Sequence, residues 1–202
     1  MLTGGASTRF GSDKAAAVFG TRTLLDCSLD SLSGAGIRHL VYVGGPKRPN
    51  VPAGVRHVQD TAKGSACPLR GIVTALEVAA SNGIDRAVIV SCDLPLLTAR
   101  SVAQVLGALD DASVRAVVAH GEVDHWSCVA VRTDALPELE QALREGVLAL
   151  HRAFHVLAPV RVQLPEHELI NANEPAVLAA SAHLSDHKSA PNGITNVRTT
   201  RD

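Results

Sequence analysis

Two adjacent glycines, a hydroxyl residue, an arginine, a third glycine and a lysine fall within residues 2–14, LTGGASTRFGSDK. They stand between a short apolar start and an alanine-rich run. A strand that ends in Gly4-Gly5 can turn sharply and bring backbone N–H groups close to a ligand, because neither residue has a side chain in the way and both tolerate positive φ. Such a loop cradles phosphate oxygens. Arg9 and Lys14 add fixed charge, the first as a fork able to hold two oxygens and the second as a compact point charge. The bland alternative is a glycine-rich turn whose two cations are simply solvated. The spacing matches neither GxxxxGK[ST] nor GxGxxG, so the P-loop and dinucleotide templates do not apply.

Two carboxylates complete this chemistry. Asp93 follows the apolar run RAVIVSC directly, and Asp60 ends the run VRHVQD. A carboxylate at the carboxyl end of a strand lies where open α/β sheets bind ligands. Hard oxygen donors there suit Mg²⁺ bridging nucleotide phosphates better than a softer metal. The competing reading of Asp93 is a cap for the helix expected from about Thr98. Pro95 breaks the backbone two residues beyond Asp93 and keeps it on a fixed loop. Cys92 reads as a small buried residue rather than a nucleophile.

The elements that must position these groups are legible as an alternation. The β-branched runs RHLVYVGG, VRHVQD, DRAVIVSCD, VRAVVAHG, WSCVAVR and VRVQL alternate with segments whose apolar residues recur at three- and four-residue spacing. The latter are TLLDCSLDSLSGAG, PLRGIVTALEVAASNG, TARSVAQVLGALDD, ALPELEQALREG and VLALHRAFHVL. Strands apolar at every position are covered on both faces, and helical crossovers imply parallel neighbours. The expected fold is therefore α/β: a three-layer, doubly wound, Rossmann-like, mostly parallel sheet. The polar turn GEVDH between VRAVVAH and WSCVAVR marks a small antiparallel excursion. A central strand usually has about five or six residues, whereas only Met1, Leu2 and Thr3 precede Gly4; the expectation is that the natural protein begins several residues earlier.

Composition sets the outer limits. At 202 residues and 46% hydrophobic, the chain can bury the core of one domain, expected over residues 1–184 with a polar tail at 185–202. Nineteen basic against 20 acidic residues give a net charge of −1, which offers no reason to expect nucleic acid or an anionic membrane as partner. No apolar run approaches the ~18 residues of a membrane span, so the expected location is cytoplasmic. Four cysteines form no CxxC pair and the nine histidines are scattered, so neither a zinc site nor a disulfide framework is indicated.

The segment Leu2 to Lys14 resembles the signature loop LxGGxSxRxGxDK of the molybdenum cofactor guanylyltransferases, within the nucleotidyltransferases of Rossmann-like sugar-nucleotide fold. CPLRGI (67–72) is similar to that family's GPLxGI element, SCDLPLL (91–97) to its CDxPxL element, GEVDHWSCVAVR (121–132) to its acceptor-side hairpin, and INANEP (170–175) to its closing element. The resemblance implies transfer of GMP from Mg-GTP to the terminal phosphate of a molybdopterin-type acceptor, releasing pyrophosphate. It also implies hand-over of the product to molybdoenzymes or their chaperones. The implied catalytic groups are Lys14, Arg9 and Asp93, with Asp93 as the Mg²⁺ ligand. The nucleotide would be held by Leu2, Thr3, Gly4, Gly5, Lys14, Gly44, Asp60 and Asp93. The acceptor would be held by Gly71, His125, Asn171 and Asn173. Gly-Gly followed by Asp13-Lys14 favours guanine over the cytidine-using relatives.

The departures are concentrated on the acceptor side. Cys67 replaces the first glycine of GPLxG, and Glu174 replaces the usual threonine before proline. Val147, Leu148 and Ala149 follow Gly146 where relatives place basic residues, with His151 and Arg152 one turn away. Gly44 and Gly45 stand where some relatives carry an asparagine near the guanine, so a backbone contact would replace it. Trp126, the single tryptophan, either packs against a pterin or staples the hairpin. Two rival readings remain: a cytidylyl- or other nucleotidyltransferase with a different phosphorylated acceptor, and a non-catalytic GTP-binding cofactor-delivery protein.

Overall fold

The computed structural model describes residues 1–3, 13–59 and 67–172. Eight strands and five helices follow one another along this part of the chain. They are β1 (Val18–Phe19), β2 (Arg22–Thr23), α1 (Leu24–Gly34), β3 (Val41–Val43), β4 (Arg56–Val58), α2 (Pro68–Ser81), β5 (Arg86–Val90), α3 (Ala99–Gly107), β6 (Ala116–His120), β7 (Asp124–Arg132), α4 (Leu136–Arg144), α5 (Leu150–Ala153) and β8 (Val160–Gln163). β1 and β2 form a small antiparallel hairpin apart from the main sheet, an element the sequence pattern does not announce.

The sheet is held together at its centre by three residues. Leu2 makes parallel bridges to Val43 on one side and Ser91 on the other. Its N–H donates to Val90 O at 2.8 Å, and its carbonyl accepts from Cys92 N–H at 3.1 Å. Met1–Thr3 thus join the parallel pair β3–β4 to the sheet β5-β7-β6-β8. Since β7 is antiparallel to both β5 and β6, and β8 is parallel to β6, every strand of this main sheet except β7 runs the same way. The mostly parallel sheet with a small antiparallel excursion is as expected, and β7 inserts between β5 and β6 rather than extending an edge.

Alternation along the strands builds two cores. Val90, Val117, Ala119, Cys128 and Ala130 pack with α1 and α3 through Leu25, Leu29, Val102 and Val105. Ile89, Ala116, Val118, Val129 and Val131 face the other way, onto Leu69, Ile72 and Leu76 of α2, Leu139 of α4 and Phe154. Two helical layers therefore cover the sheet, which explains why its strands read as uninterrupted apolar runs. α1 opens on a reciprocal cap in which Thr23 accepts from Asp26 N–H and the Asp26 carboxylate accepts from Thr23 N–H. Pro68 starts α2 at a position where its missing N–H costs nothing. Cys67, before it, has φ −132° and ψ 151°, an extended conformation open to any residue, so glycine is not needed there.

The segment VLALHRAFHVL departs from the single helix expected of it. It folds as α5, then a 3₁₀ turn over His155–Leu157 that ends on Ala158 at φ 46°. Pro159 disfavours helix at the residue before it, and burial of Phe154 decides the rest. Among the described residues no helix is long and apolar enough to cross a membrane.

α1 and α3 touch through small residues. A Cβ on Gly34 would lie 2.9 Å from the Ala99 Cβ, which cannot swing aside. Overpacking costs about 1–3 kcal/mol and helix propensity returns at most about 1 kcal/mol. Gly34→Ala is therefore expected to lower Tm by about 2–4 °C in a thermal melt; an unchanged or raised Tm would show that the two helices can separate without cost.

Candidate functional site

The carboxyl ends of the parallel strands gather Asp93, Lys14, Asn171, Thr3 and the turn Gly44-Gly45. Asp93 lies three residues beyond β5. Its side chain is 15% exposed and meets Lys14 Nζ at 3.3 Å. Its backbone carbonyl accepts from Ala172 N–H at 2.8 Å, which fastens the closing segment to the strand end. In the orientation that satisfies its neighbours, the Asn171 amide nitrogen donates to both Asp93 oxygens, at 3.1 and 3.3 Å. Ser127 Oγ lies 3.3 Å from the same amide. Asp93 thus sits between a cation and an amide, largely sheltered.

The neighbouring strand end adds a backbone turn. Thr3 Oγ1 lies 2.8 Å from Gly44 O and 3.1 Å from Val43 O, tying the first strand to the turn after β3. Gly44 and Gly45 have φ of 79° and 66°, in the left-handed region that glycine enters freely. At Gly45 a side chain would also come within 3.3 Å of Thr3 O. The turn therefore presents bare backbone, as a backbone contact to a base requires.

Two of the residues expected to touch a ligand also have packing roles. Leu2 spends both backbone groups on the sheet, and its side chain packs beside α2. Gly71, buried in α2, leaves room for that side chain: a Cβ there would lie 2.9 Å from Leu2 Cδ2. Gly4, Gly5, Arg9, Asp60 and Asn173 lie outside the described residues, as does the tail from 185.

His125 stands within β7, paired with Ala119, rather than after the turn. Its ring is 11% exposed, and Nε2, 3.6 Å from Glu166 Oε1, has no hydrogen-bond partner among the described residues. Pairing jumps from Val118↔Val129 to Ala119↔His125, leaving Trp126, Ser127 and Cys128 without partners on β6. Such a bulge re-aims side chains near a site. Here Ser127 reaches Asn171, while Trp126 tilts onto Phe154 with ring centroids 5.6 Å apart. The staple reading of Trp126 is the one this contact supports.

Three contributors carry no sequence signal. Ser127 owes its place to the bulge. Glu168, 6% exposed, accepts from Thr98 N–H at 2.9 Å and so anchors the segment between Asp93 and α3. Arg48 reaches Asp13 from the loop after β3. The Cys92 thiol is pushed up to about 12 by burial first and by the Asp93 charge second, so it stays protonated at neutral pH and is no nucleophile. Burial alone does the same to Cys128.

A mostly parallel sheet with one inserted antiparallel strand is the fold that this chain shares with solved nucleotidyltransferases. The crystal structure of molybdopterin-guanine dinucleotide biosynthesis protein A from Archaeoglobus fulgidus superposes with a TM-score of 0.68 over 92% of this chain and 97% of that one, at 19% identity. Residues 1–160 match the model of the MobA-like NTP transferase domain, and the chain belongs to that family. A molybdenum cofactor guanylyltransferase of Rhizobium leguminosarum bv. trifolii is 37% identical over 120 residues, 59% of this chain and 55% of that protein. A probable molybdenum cofactor guanylyltransferase of Mycobacterium avium is 25% identical over 185 residues, 90% of this chain and 93% of that protein. The chain spans about half the length of the first of these curated relatives.

Proposed function

We propose that this protein transfers GMP from GTP to the terminal phosphate of a molybdopterin-type acceptor and releases pyrophosphate. The observation that carries the reading is the Lys14–Asp93 pair, 3.3 Å apart at the strand ends, beside the bare turn Gly44-Gly45. An acceptor phosphate oxygen attacks the α-phosphorus, the bond from that phosphorus to the bridging oxygen breaks, and pyrophosphate leaves. The nucleophile is already anionic, so no general base is required, and positioning and charge neutralisation are what remain for the protein to do.

The donor set fits Mg²⁺. This ion commonly takes one or two carboxylates and completes its octahedron with phosphate oxygens and water. Asp93 supplies one such carboxylate, Asp13 is engaged by Arg48, and among the described residues no group of three or more acidic, His or Cys side chains offers a protein cage. When bound, Mg²⁺ neutralises phosphate charge and holds the nucleotide in line. Asp93 would hold it, Lys14 would take the phosphate charge that develops in transfer, and Asn171 would orient Asp93. Gly4, Gly5, Arg9 and Asp60 complete the nucleotide side of this reading, and His125 and Asn173 the acceptor side, with residues 1–184 as the working domain. A cytoplasmic location suits cysteines that form no disulfide among the described residues.

The test is pyrophosphate release from GTP, CTP, UTP and ATP with Mg²⁺, with and without molybdopterin or its molybdate-loaded form. Turnover confined to GTP and pterin supports the reading. Turnover with CTP would reassign the base, and tight GTP binding without pterin-dependent release would point to delivery rather than synthesis.

A further inference from the structure

Arg48 is fixed at both ends. Its backbone N–H donates to the Tyr42 hydroxyl at 3.0 Å. Tyr42 is 1% exposed and stacks on His57 with ring centroids 4.6 Å apart, and His57 Nε2 lies 3.2 Å from Gly45 O. The root of Arg48 and the turn Gly44-Gly45 therefore hang on one aromatic pair, with Tyr42 buried and His57 half-buried. At the other end, the guanidinium Nη2 lies 2.8 Å from Asp13 Oδ1 and 2.6 Å from Oδ2. Asp13 immediately precedes Lys14, and its carbonyl accepts from Ala16 N–H at 3.0 Å, closing the 3₁₀ turn that carries Lys14. The charges alternate along this path: Arg48, Asp13, Lys14, Asp93.

Stability alone does not account for this placement. The Arg48 side chain is 12% exposed, and its Nε is buried with no hydrogen-bond partner among the described residues. Desolvating a guanidinium without satisfying every donor is unfavourable, and a sheltered ion pair is weak support for a fold. What the pair does hold is relative position. It links the turn Gly44-Gly45 to the turn that delivers Lys14 to Asp93.

We propose that Arg48 is a positioning residue for nucleotide binding: through Asp13 it locks the turn after β3 to the segment bearing Lys14, so that base and phosphates are gripped in one geometry. This rests on the nucleotidyl-transfer reading above. Methionine keeps the apolar stem of Arg48 and removes the fork. Because Asp13 is 32% exposed, water can solvate it once the partner is gone.

The experiment compares Arg48→Met, Arg48→Lys, Asp13→Asn and the Arg48→Met/Asp13→Asn double variant. It reads KM and kcat for GTP, GTP binding by calorimetry and the melting temperature. Each neutralising single variant is expected to raise KM and Kd for GTP about tenfold, with kcat changed less than threefold and Tm nearly constant. The double variant should be no worse than the poorer single, because both changes break one link, and Arg48→Lys should recover part of the loss. Multiplying effects in the double variant, an unchanged KM in Arg48→Met, or a loss that follows a fall in Tm would overturn the proposal. If the wild-type protein neither binds nor turns over any nucleotide, the functional reading fails, and the position of Lys14 still decides. The chain has four lysines, and their ¹³C-dimethyl NMR signals are separable by Lys14→Arg. A Lys14 signal displaced in Arg48→Met sustains the link, and an unmoved one removes it.

Discussion

Replacing Asp93 with asparagine is expected to lower kcat/KM for GTP by about 10²–10⁴-fold while leaving Tm within a few degrees of the parent. The magnitude follows from what the carboxylate is asked to do. A divalent ion on the phosphates contributes several kcal/mol to the transition state, and each 1.36 kcal/mol is about tenfold in rate. Asparagine keeps the shape and can still accept from Lys14 Nζ, now 3.3 Å from the carboxylate. The anchor from Ala172 N–H to the Asp93 carbonyl involves backbone alone and persists. Steady-state kinetics over a Mg²⁺ titration, with a thermal melt of the same sample, checks the prediction. A variant within threefold of the parent at every Mg²⁺ concentration would remove Asp93 from the metal site.

How much of this was legible in the sequence depends on whether the signal is local. The strand-helix alternation is written in the chain because AVIV and VRAVVAH must be covered on both faces. The Lys14–Asp93 pair was accessible too, since each residue follows an element whose end is marked, by the glycine loop in one case and by RAVIVSC in the other. The place of β7 was not. A hairpin turn says that two strands are neighbours, but not that one of them also pairs with β5. The bulge at Trp126–Cys128 interrupts the pairing without any glycine or proline to announce it.

What the sequence leaves unread has equally specific causes. Gly71 is singled out by its motif, and the structure adds that it clears the Leu2 side chain. VLALHRAFHVL has helical spacing, yet the left-handed Ala158 before Pro159 and the buried Phe154 end it early. Arg48 sits among prolines in PKRPN, with no motif around it. Its meaning arises only when β3 and the first strand are brought side by side, placing Asp13 within reach. Contacts that span 35 residues and use one charge from each loop leave no periodicity to detect.

Lys14→Met is expected to lower kcat by about 10²–10³-fold, with a smaller rise in KM for GTP. A preorganised donor aimed at developing charge contributes about 2.7–4 kcal/mol in other enzymes. Lys14 is suited to that role because its side chain, 15% exposed, holds Nζ beside Asp93 at the strand ends before any ligand arrives. A lysine that merely neutralised Asp93 would behave differently. Its loss would change metal affinity or Tm, and Lys14→Arg would restore either by supplying the same charge. A lysine that follows the transferring phosphate needs a compact ammonium, so Lys14→Arg should recover GTP binding but little of kcat. Single-turnover measurement of pyrophosphate release separates the cases, because it isolates the chemical step from product release. Full recovery of the single-turnover rate by arginine would reduce Lys14 to a counter-charge, whereas binding without rate would place it on the reacting phosphate.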